Sequence, residues 1–163
     1  MWETLTESME AMVGHYQALK ALGLEKEKRL VAADVPVIEQ LTKEEEKLIA
    51  AISEQEAVRQ RSLAAILPVC SLANEQPTLA ELLAVADEPY RPRLHKANET
   101  LLQLAADLQA ISDRNTRLIR QALSIVDYNL NLLTQPAEAP AYTAGGQSPE
   151  RGQAPRALFD RKA

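Results

Sequence analysis

Few side chains in this sequence are suited to chemistry, and those few lie apart from one another. His15 and His95 have no metal-ligand spacing around them, and Cys70 is the single cysteine. The run of three glutamates at 44–46 is more typical of a solvated helix face than of an acid–base pair. The glycine pair at 145–146 lacks the strand and helix that frame a phosphate-binding loop. We therefore expect no enzyme, no metal site and no cofactor.

The composition indicates what kind of scaffold carries these residues. The chain has 163 residues, of which 46% are hydrophobic and 4% aromatic, and it contains only five glycines. Alanine, leucine, glutamate, glutamine and lysine predominate, and these residues favour long helices over sheets or cofactor pockets. This length fits one domain with some additional chain.

Charge and hydropathy exclude two classes of partner. The net charge is −5, and residues 135–163 carry four basic and three acidic side chains, which leaves the rest of the chain at −6. An acidic body without a basic stripe repels nucleic acid and anionic membrane surfaces. Neither a signal peptide nor an apolar run of about 20 residues is present. One cysteine cannot form an internal disulfide. We expect a soluble, cytoplasmic protein without stable membrane insertion.

Two long helices are predicted in the first part of the chain. The first runs from about Trp2 to Ala33, because apolar residues recur every three or four positions, as in a coiled coil. Gly23 interrupts this pattern and could allow a neighbouring helix to approach closely. Asp34 is a candidate N-cap, and Pro36 suits the first turn of a second helix that ends near Leu67.

The segment 68–93 is predicted to connect the second long helix to the last one. It contains four prolines. Within it, Thr78 and Glu81 have the spacing of a capping box, in which each side chain bonds the backbone of the other residue. We expect a short helix from Leu79 to Ala86 that crosses one end of the bundle.

The last helix has the strongest heptad pattern. One heptad position falls on Leu94, Leu101, Leu108, Asn115, Ala122 and Asn129, and the other falls on Ala97, Leu104, Ile111, Leu118, Ile125 and Leu132. The helix should end near Thr134. We predict an all-α fold, an elongated antiparallel bundle of three long helices plus one short helix over residues 1–134. Residues 135–163 are rich in Pro and Gly and should form a disordered C-terminal tail.

The second half of the last helix has more apolar residues than one bundle contact requires. A second apolar line runs beside the heptad positions, and together the two lines form what we call the apolar stripe: Leu118, Ile119, Ala122, Leu123, Ile125, Val126, Leu130, Leu132 and Leu133. Either the first two helices cover both lines, or part of the stripe receives an amphipathic helix from another protein. Asn115 and Asn129 lie at heptad positions, where buried asparagines usually set the register of the packing.

Four segments, in order along the chain, carry a family likeness. Residues 24–60, "LEKEKRLVAADVPVIEQLTKEEEKLIAAISEQEAVRQ", resemble the early helical signature of the FlgN-type flagellar export chaperones. Residues 113–133, "DRNTRLIRQALSIVDYNLNLL", are similar to the late helix of that family. Tyr142 followed by Gly145 resembles the start of the family tail, and "LFDRKA" at 158–163 resembles its ending. The proline-rich segment 68–92 matches least.

The resemblance implies a cytoplasmic chaperone of flagellar type III export. Such chaperones bind hook-associated proteins of the hook–filament junction, prevent their premature assembly and deliver them to the export gate. Their late amphipathic helix binds the substrate protein. Carried over to this sequence, the binding residues are Leu118, Ile119, Ala122, Leu123, Ile125, Val126, Leu130 and Leu133. Tyr142 matches the tail tyrosine associated with docking at the export gate, and Leu158 with Phe159 could be a second anchor.

An alternative function needs no partner protein. The apolar stripe could bury itself against a second copy of the chain, which would make the protein a self-associating structural coiled coil.

Overall fold

The computed structural model describes residues 1–70 and 77–134 of the chain. These residues form four α-helices and no β-strand: α1 (Trp2–Val31), α2 (Val35–Ile66), α3 (Leu79–Val85) and α4 (Arg91–Thr134). The predicted all-α class is confirmed, and each helix boundary lies within three residues of its predicted position. The division of the chain into a domain over residues 1–134 and a tail over residues 135–163 is not tested by the described residues and stays a prediction.

A tight turn joins α1 to α2 and makes them antiparallel. Ala33 has a φ of 53°, which is the left-handed conformation. At the end of a helix, this conformation is usually adopted by glycine. The amide of Asp34 donates to the carbonyl of Arg29, and the amide of Ala33 donates to that of Leu30. Asp34 occupies the N-cap position, but its side chain does not cap α2. Its carboxylate accepts a hydrogen bond from Arg29 at 3.3 Å instead.

The short helix α3 is held by the predicted capping box. The Thr78 hydroxyl accepts from the amide of Glu81, and the Glu81 carboxylate accepts from the amide of Thr78 at 2.6 Å. Because a helix of seven residues cannot form alone in water, this cap and packing against α4 must stabilise it. The predicted helix and its predicted capping box are confirmed.

The three long helices pack side by side with α1 in the middle. α1 packs against α2 and against α4, whereas the backbones of α2 and α4 do not approach each other within the described residues. Residue numbers rise together where α1 meets α4, as in the pairs Glu10–Arg93 and Lys20–Asp107. They run in opposite directions where α1 meets α2, as in Lys26–Glu45. Each long helix is therefore antiparallel to the next one in the chain.

The hydrophobic core lies mainly at one end of the bundle, which we call the closed end. There α1 begins, α2 ends and α4 begins, and α3 lies alongside. The buried cluster consists of Leu5, Met9, Ile66, Ala86, Leu94 and Ala97. Two buried hydroxyls on α1 are satisfied within the helix: Thr6 donates to the carbonyl of Trp2 and Ser8 to that of Leu5, each at 2.8 Å. The opposite end, at the α1–α2 turn, has no comparable cluster among the described residues.

Candidate functional site

The last helix, α4, changes from a buried to an exposed helix along its length. Its buried residues are Leu94, Ala97, Leu104, Ile111 and Asn115, which all belong to the predicted heptad positions. Leu118 is half-buried, and every residue from 119 to 134 is exposed. These 16 residues, which we call the projecting end, extend about 24 Å at 1.5 Å per residue.

The projecting end exists because α4 is longer than the helix that it packs against. α4 has 44 residues and α1 has 30. The two helices start together at the closed end, where Arg93 of α4 bonds Glu3 of α1. They remain in register up to Gly23, whose carbonyl accepts a hydrogen bond from Asn115 at 3.0 Å. Since α1 ends at Val31, its cover ends near residue 119 of α4.

The apolar stripe lies almost entirely on this projecting end. On the projecting end, the exposed fractions of its large side chains range from 39% for Ile119 to 82% for Leu133. Of the two alternatives drawn from the sequence, coverage of both lines by α1 and α2 is wrong for these residues. The other alternative, that the stripe receives a helix from another protein, stays a prediction. Asn129, expected to set register, is exposed, so no helix among the described residues buries it.

The polar side chains of the projecting end lie together on the opposite face. At 100° per residue, the apolar residues occupy about half of the helix circumference, with Asn129 the one polar residue among them. Arg120, Asp127 and Asn131 lie on the other half. The projecting end is therefore an amphipathic helix with one apolar face open to water.

Asn115 and Gly23 fix the register between α1 and α4 just before the projecting end. A Cβ atom built on Gly23 would lie 2.9 Å from Cγ2 of Ile111, so a side chain here would force Ile111 to shift. This agrees with the close approach expected at Gly23. The Asn115 side chain is buried and donates to Gly23 through Nδ2, while its Oδ1 accepts no hydrogen bond from the described residues.

A cleft of about 300 Å³ lies beside this contact, between α2 and α4, with α1 as its floor. Ile49 of α2 and Ile119 of α4 both line it, and their side chains are 56% and 39% exposed. Ile49 was not predicted from the sequence as a site residue. The sequence does contain a signal for Ile49. This residue is apolar but lies outside the line of Leu41, Leu48 and Ile52 that packs α2.

The side chains that were considered for chemistry in the sequence take part in packing and ion pairs. Cys70 is half-buried against the core at the closed end, and His95 lies 3.4 Å from Glu99 one turn along α4. Glu45 departs from the expected solvated face, because its carboxylate pairs with Lys26 at 2.6 Å with both side chains largely buried. In the part of the chain that the structure describes, no three metal-binding side chains cluster.

Two further findings bear on the predicted site residues. None of the four described helices is long and apolar enough to cross a membrane. Tyr142, Leu158 and Phe159 lie outside the described residues, so their predicted roles stay predictions.

Comparison with protein families decides which kind of helical protein this is. A family model described as FlgN protein matches residues 1–150, which includes all four helices and the projecting end. The chain belongs to the FlgN family. It is therefore a flagellar export chaperone, and as a FlgN protein it binds flagellar proteins during assembly. Comparison with curated proteins and with solved structures gave no significant match.

Proposed function

We propose that this chaperone binds hook-associated proteins of the hook–filament junction through the apolar stripe, keeps them unassembled and delivers them to the export gate. The observation that carries the proposal is the exposed apolar face of residues 119–134, which no helix of the described chain covers. A subunit that polymerises through terminal helices would be held apart if this face covered one of those helices.

The stripe is suited to a releasable grip. Burying one fully exposed large apolar side chain contributes roughly 1.5–3 kcal/mol. The stripe offers several half-exposed ones, and ordering the partner's helix costs part of the gain. Binding that is tight enough to prevent assembly can therefore still be reversed at the export gate.

The proposal is tested by comparing two aspartate substitutions on opposite faces of α4. Val126→Asp places a charge within the stripe and should weaken binding of a hook-associated protein at least about tenfold, since one lost apolar contact of about 1.5 kcal/mol already corresponds to tenfold. Leu102→Asp is the matched control, because Leu102 is exposed on the face of α4 away from the stripe. Binding is measured by isothermal titration calorimetry.

Both residues are exposed, so both variants should keep the wild-type helical signal in far-UV circular dichroism. Wild-type affinity in Val126→Asp would contradict the proposal.

A second candidate function is self-association through the same stripe. The exposure of Leu123, Leu130 and Leu133 favours it, because apolar patches of this kind also mark contacts between identical chains. Light scattering distinguishes the two functions. A stable homodimer that Val126→Asp separates into monomers supports a structural coiled coil, and a monomer that binds the junction protein supports the chaperone mechanism.

Delivery to the export gate is assigned to Tyr142, which matches the tail tyrosine of the family. Tyr142 lies eight residues beyond the end of α4, so it can be at most about 29 Å from that end of the helix. This distance would let the gate contact a chaperone that still holds its substrate.

Replacement of the tyrosine should affect gate binding alone. Tyr142→Ala is expected to weaken binding of the chaperone–substrate complex to the gate while leaving substrate affinity unchanged, as measured by surface-immobilised binding and calorimetry. Tyr142→Phe serves as the control for the ring without its hydroxyl. Equal gate binding by Tyr142→Ala and the wild type would remove this residue from the mechanism.

A further inference from the structure

The bundle has a fourth helix position that is filled at one end and open at the other. At the closed end, α3 lies over the gap between α2 and α4: Leu79 and Leu82 of α3 surround a small cavity together with Leu63 of α2 and Leu94 of α4. Further along the same gap, only α1, α2 and α4 line the 300 Å³ cleft. No described segment of the chain occupies that part of the fourth position.

The cleft is continuous with the apolar stripe. Ile119 belongs to both, since it lines the cleft and begins the exposed part of the stripe. Leu108 lines the far end of the cleft, and Leu133 ends the stripe. A helix that covered both would run alongside about 26 residues of α4, or about 38 Å.

The size of the stripe indicates that it is not the whole site. A specific protein interface usually takes about 20–30 residues on each side. The projecting end has 16 residues, and only about half of them face one side. The cleft is lined by eleven residues from three helices, which brings the combined surface close to the usual size.

The cleft also contains a polar group that lacks a partner. Asn115 lines the cleft and is more than nine-tenths buried, and its Oδ1 accepts no hydrogen bond from the residues at 1–70 and 77–134. A buried acceptor left in this state favours a ligand that brings a donor to it. Such a donor would also fix the register of a helix that otherwise makes only apolar contacts.

We propose that the substrate helix extends past the stripe into this cleft and completes a four-helix bundle with α1, α2 and α4. The occupant is an amphipathic helix of the partner protein with about seven turns of continuous apolar face. The inference rests on the proposed function, because it concerns the same partner, but it adds a second helix of this chain, α2, to the binding site through Ile49.

The test uses the full chain and a terminal helical segment of a hook-associated protein about 26 residues long, with its 14-residue half for comparison. Ile49→Asp and Ile49→Lys should both weaken binding of the long segment about tenfold or more by calorimetry. Charges of either sign are used so that the nearby Glu45–Lys26 pair cannot account for the loss. Leu102→Asp should bind within twofold of the wild type. The half-length segment should bind more weakly than the long one and be insensitive to Ile49 if it covers the stripe alone.

The outcomes separate this inference from the function on which it rests. If Val126→Asp weakens binding and both Ile49 variants bind as the wild type does, the cleft is overturned while the chaperone function stands. If the wild type binds neither segment, the proposed function fails, and the inference fails with it. If the protein alone is a stable dimer that the Ile49 variants separate, a second copy occupies the cleft, which also overturns the inference.

Discussion

At the scale of single residues, the contact between α1 and α4 depends on a glycine and an asparagine. Gly23 lets the two backbones approach closely, and the Asn115 side chain donates a hydrogen bond to the carbonyl of Gly23. The sequence alone suggested each feature separately. It could not pair them, because heptad spacing identifies which face of a helix is buried but not which residue of the neighbour lies opposite.

Replacement of Gly23 tests this contact. Gly23→Ala should lower the free energy of unfolding, because the new Cβ would lie 2.9 Å from a methyl group of Ile111, a β-branched side chain with little freedom to rotate. Overpacking costs about 1–3 kcal/mol, which exceeds the roughly 1 kcal/mol that alanine gains over glycine in a helix. The change is measured by urea denaturation.

Gly14→Ala is the matched control for this prediction. It lies on the same helix, and a Cβ built there has no neighbour within 4 Å. This variant should gain up to about 1 kcal/mol from helix propensity alone. If Gly23→Ala were stabilised as much as Gly14→Ala, α1 and α4 would not pack as closely as described.

At the scale of helices, ion pairs align the neighbours at intervals along α1. Arg93 of α4 donates two hydrogen bonds to Glu10 and one to Glu3, and Lys20 bonds Asp107 at 2.6 Å. The hydrogen bonds from Arg93 hold the pKa of Glu10 below its usual value, and the hydrogen bond from Lys20 does the same for the pKa of Asp107. Most of these side chains are exposed to water, so each pair contributes modestly to stability.

These lowered pKa values predict how stability depends on pH. A carboxylate whose pKa is lower in the folded state stabilises the fold above its unfolded pKa of about 4.3 for Glu, and the contribution is lost as the pH falls through the folded pKa. Arg93→Met should therefore lower the urea midpoint at pH 7, and its difference from the wild type should be smaller at pH 3, because the contribution of the Glu10 carboxylate decreases as the pH falls.

Arg120→Met is the control for the pH prediction, since Arg120 forms no ion pair with any residue at 1–70 or 77–134. Its urea midpoint should stay near that of the wild type at both pH values. An Arg93→Met difference of the same size at pH 7 and pH 3 would show that the pair with Glu10 does not contribute through charge.

Local signals in the sequence predicted the helices well. The capping box at Thr78 and Glu81 and the proline after Asp34 each placed a helix start within one residue. Such signals act within a few residues and need no tertiary contact. Asp34 occupies the predicted N-cap position, although its carboxylate accepts a hydrogen bond from Arg29 and does not cap α2.

The end of the buried part of α4 could not be predicted in the same way. The heptad pattern continues through Ala122, Ile125 and Leu132 although α1 and α2 no longer cover them. A periodic apolar pattern is the same whether the partner is another part of the chain or another protein. The cleft at Ile49 was missed for a related reason, since it is formed by three helices whose arrangement only the structure provides.

At the scale of the whole molecule, the buried core and the proposed binding surface lie towards opposite ends of the bundle. The buried cluster, α3 and its capping box lie at the closed end, while the cleft and the projecting end lie beyond the middle of the bundle. A partner that binds to the cleft and the projecting end would therefore not disturb the core. This separation is what the proposed chaperone needs, because it must hold and release a substrate without unfolding.

The central expectation is that a partner helix buries the exposed apolar face of the projecting end. Its most direct test is a calorimetric titration of the full chain with isolated terminal helical segments of hook-associated proteins, repeated at several temperatures. We predict saturable binding with a negative heat-capacity change, the signature of apolar surface removed from water. Absence of binding to every such segment, together with a stable homodimer of the chain alone, would contradict this expectation.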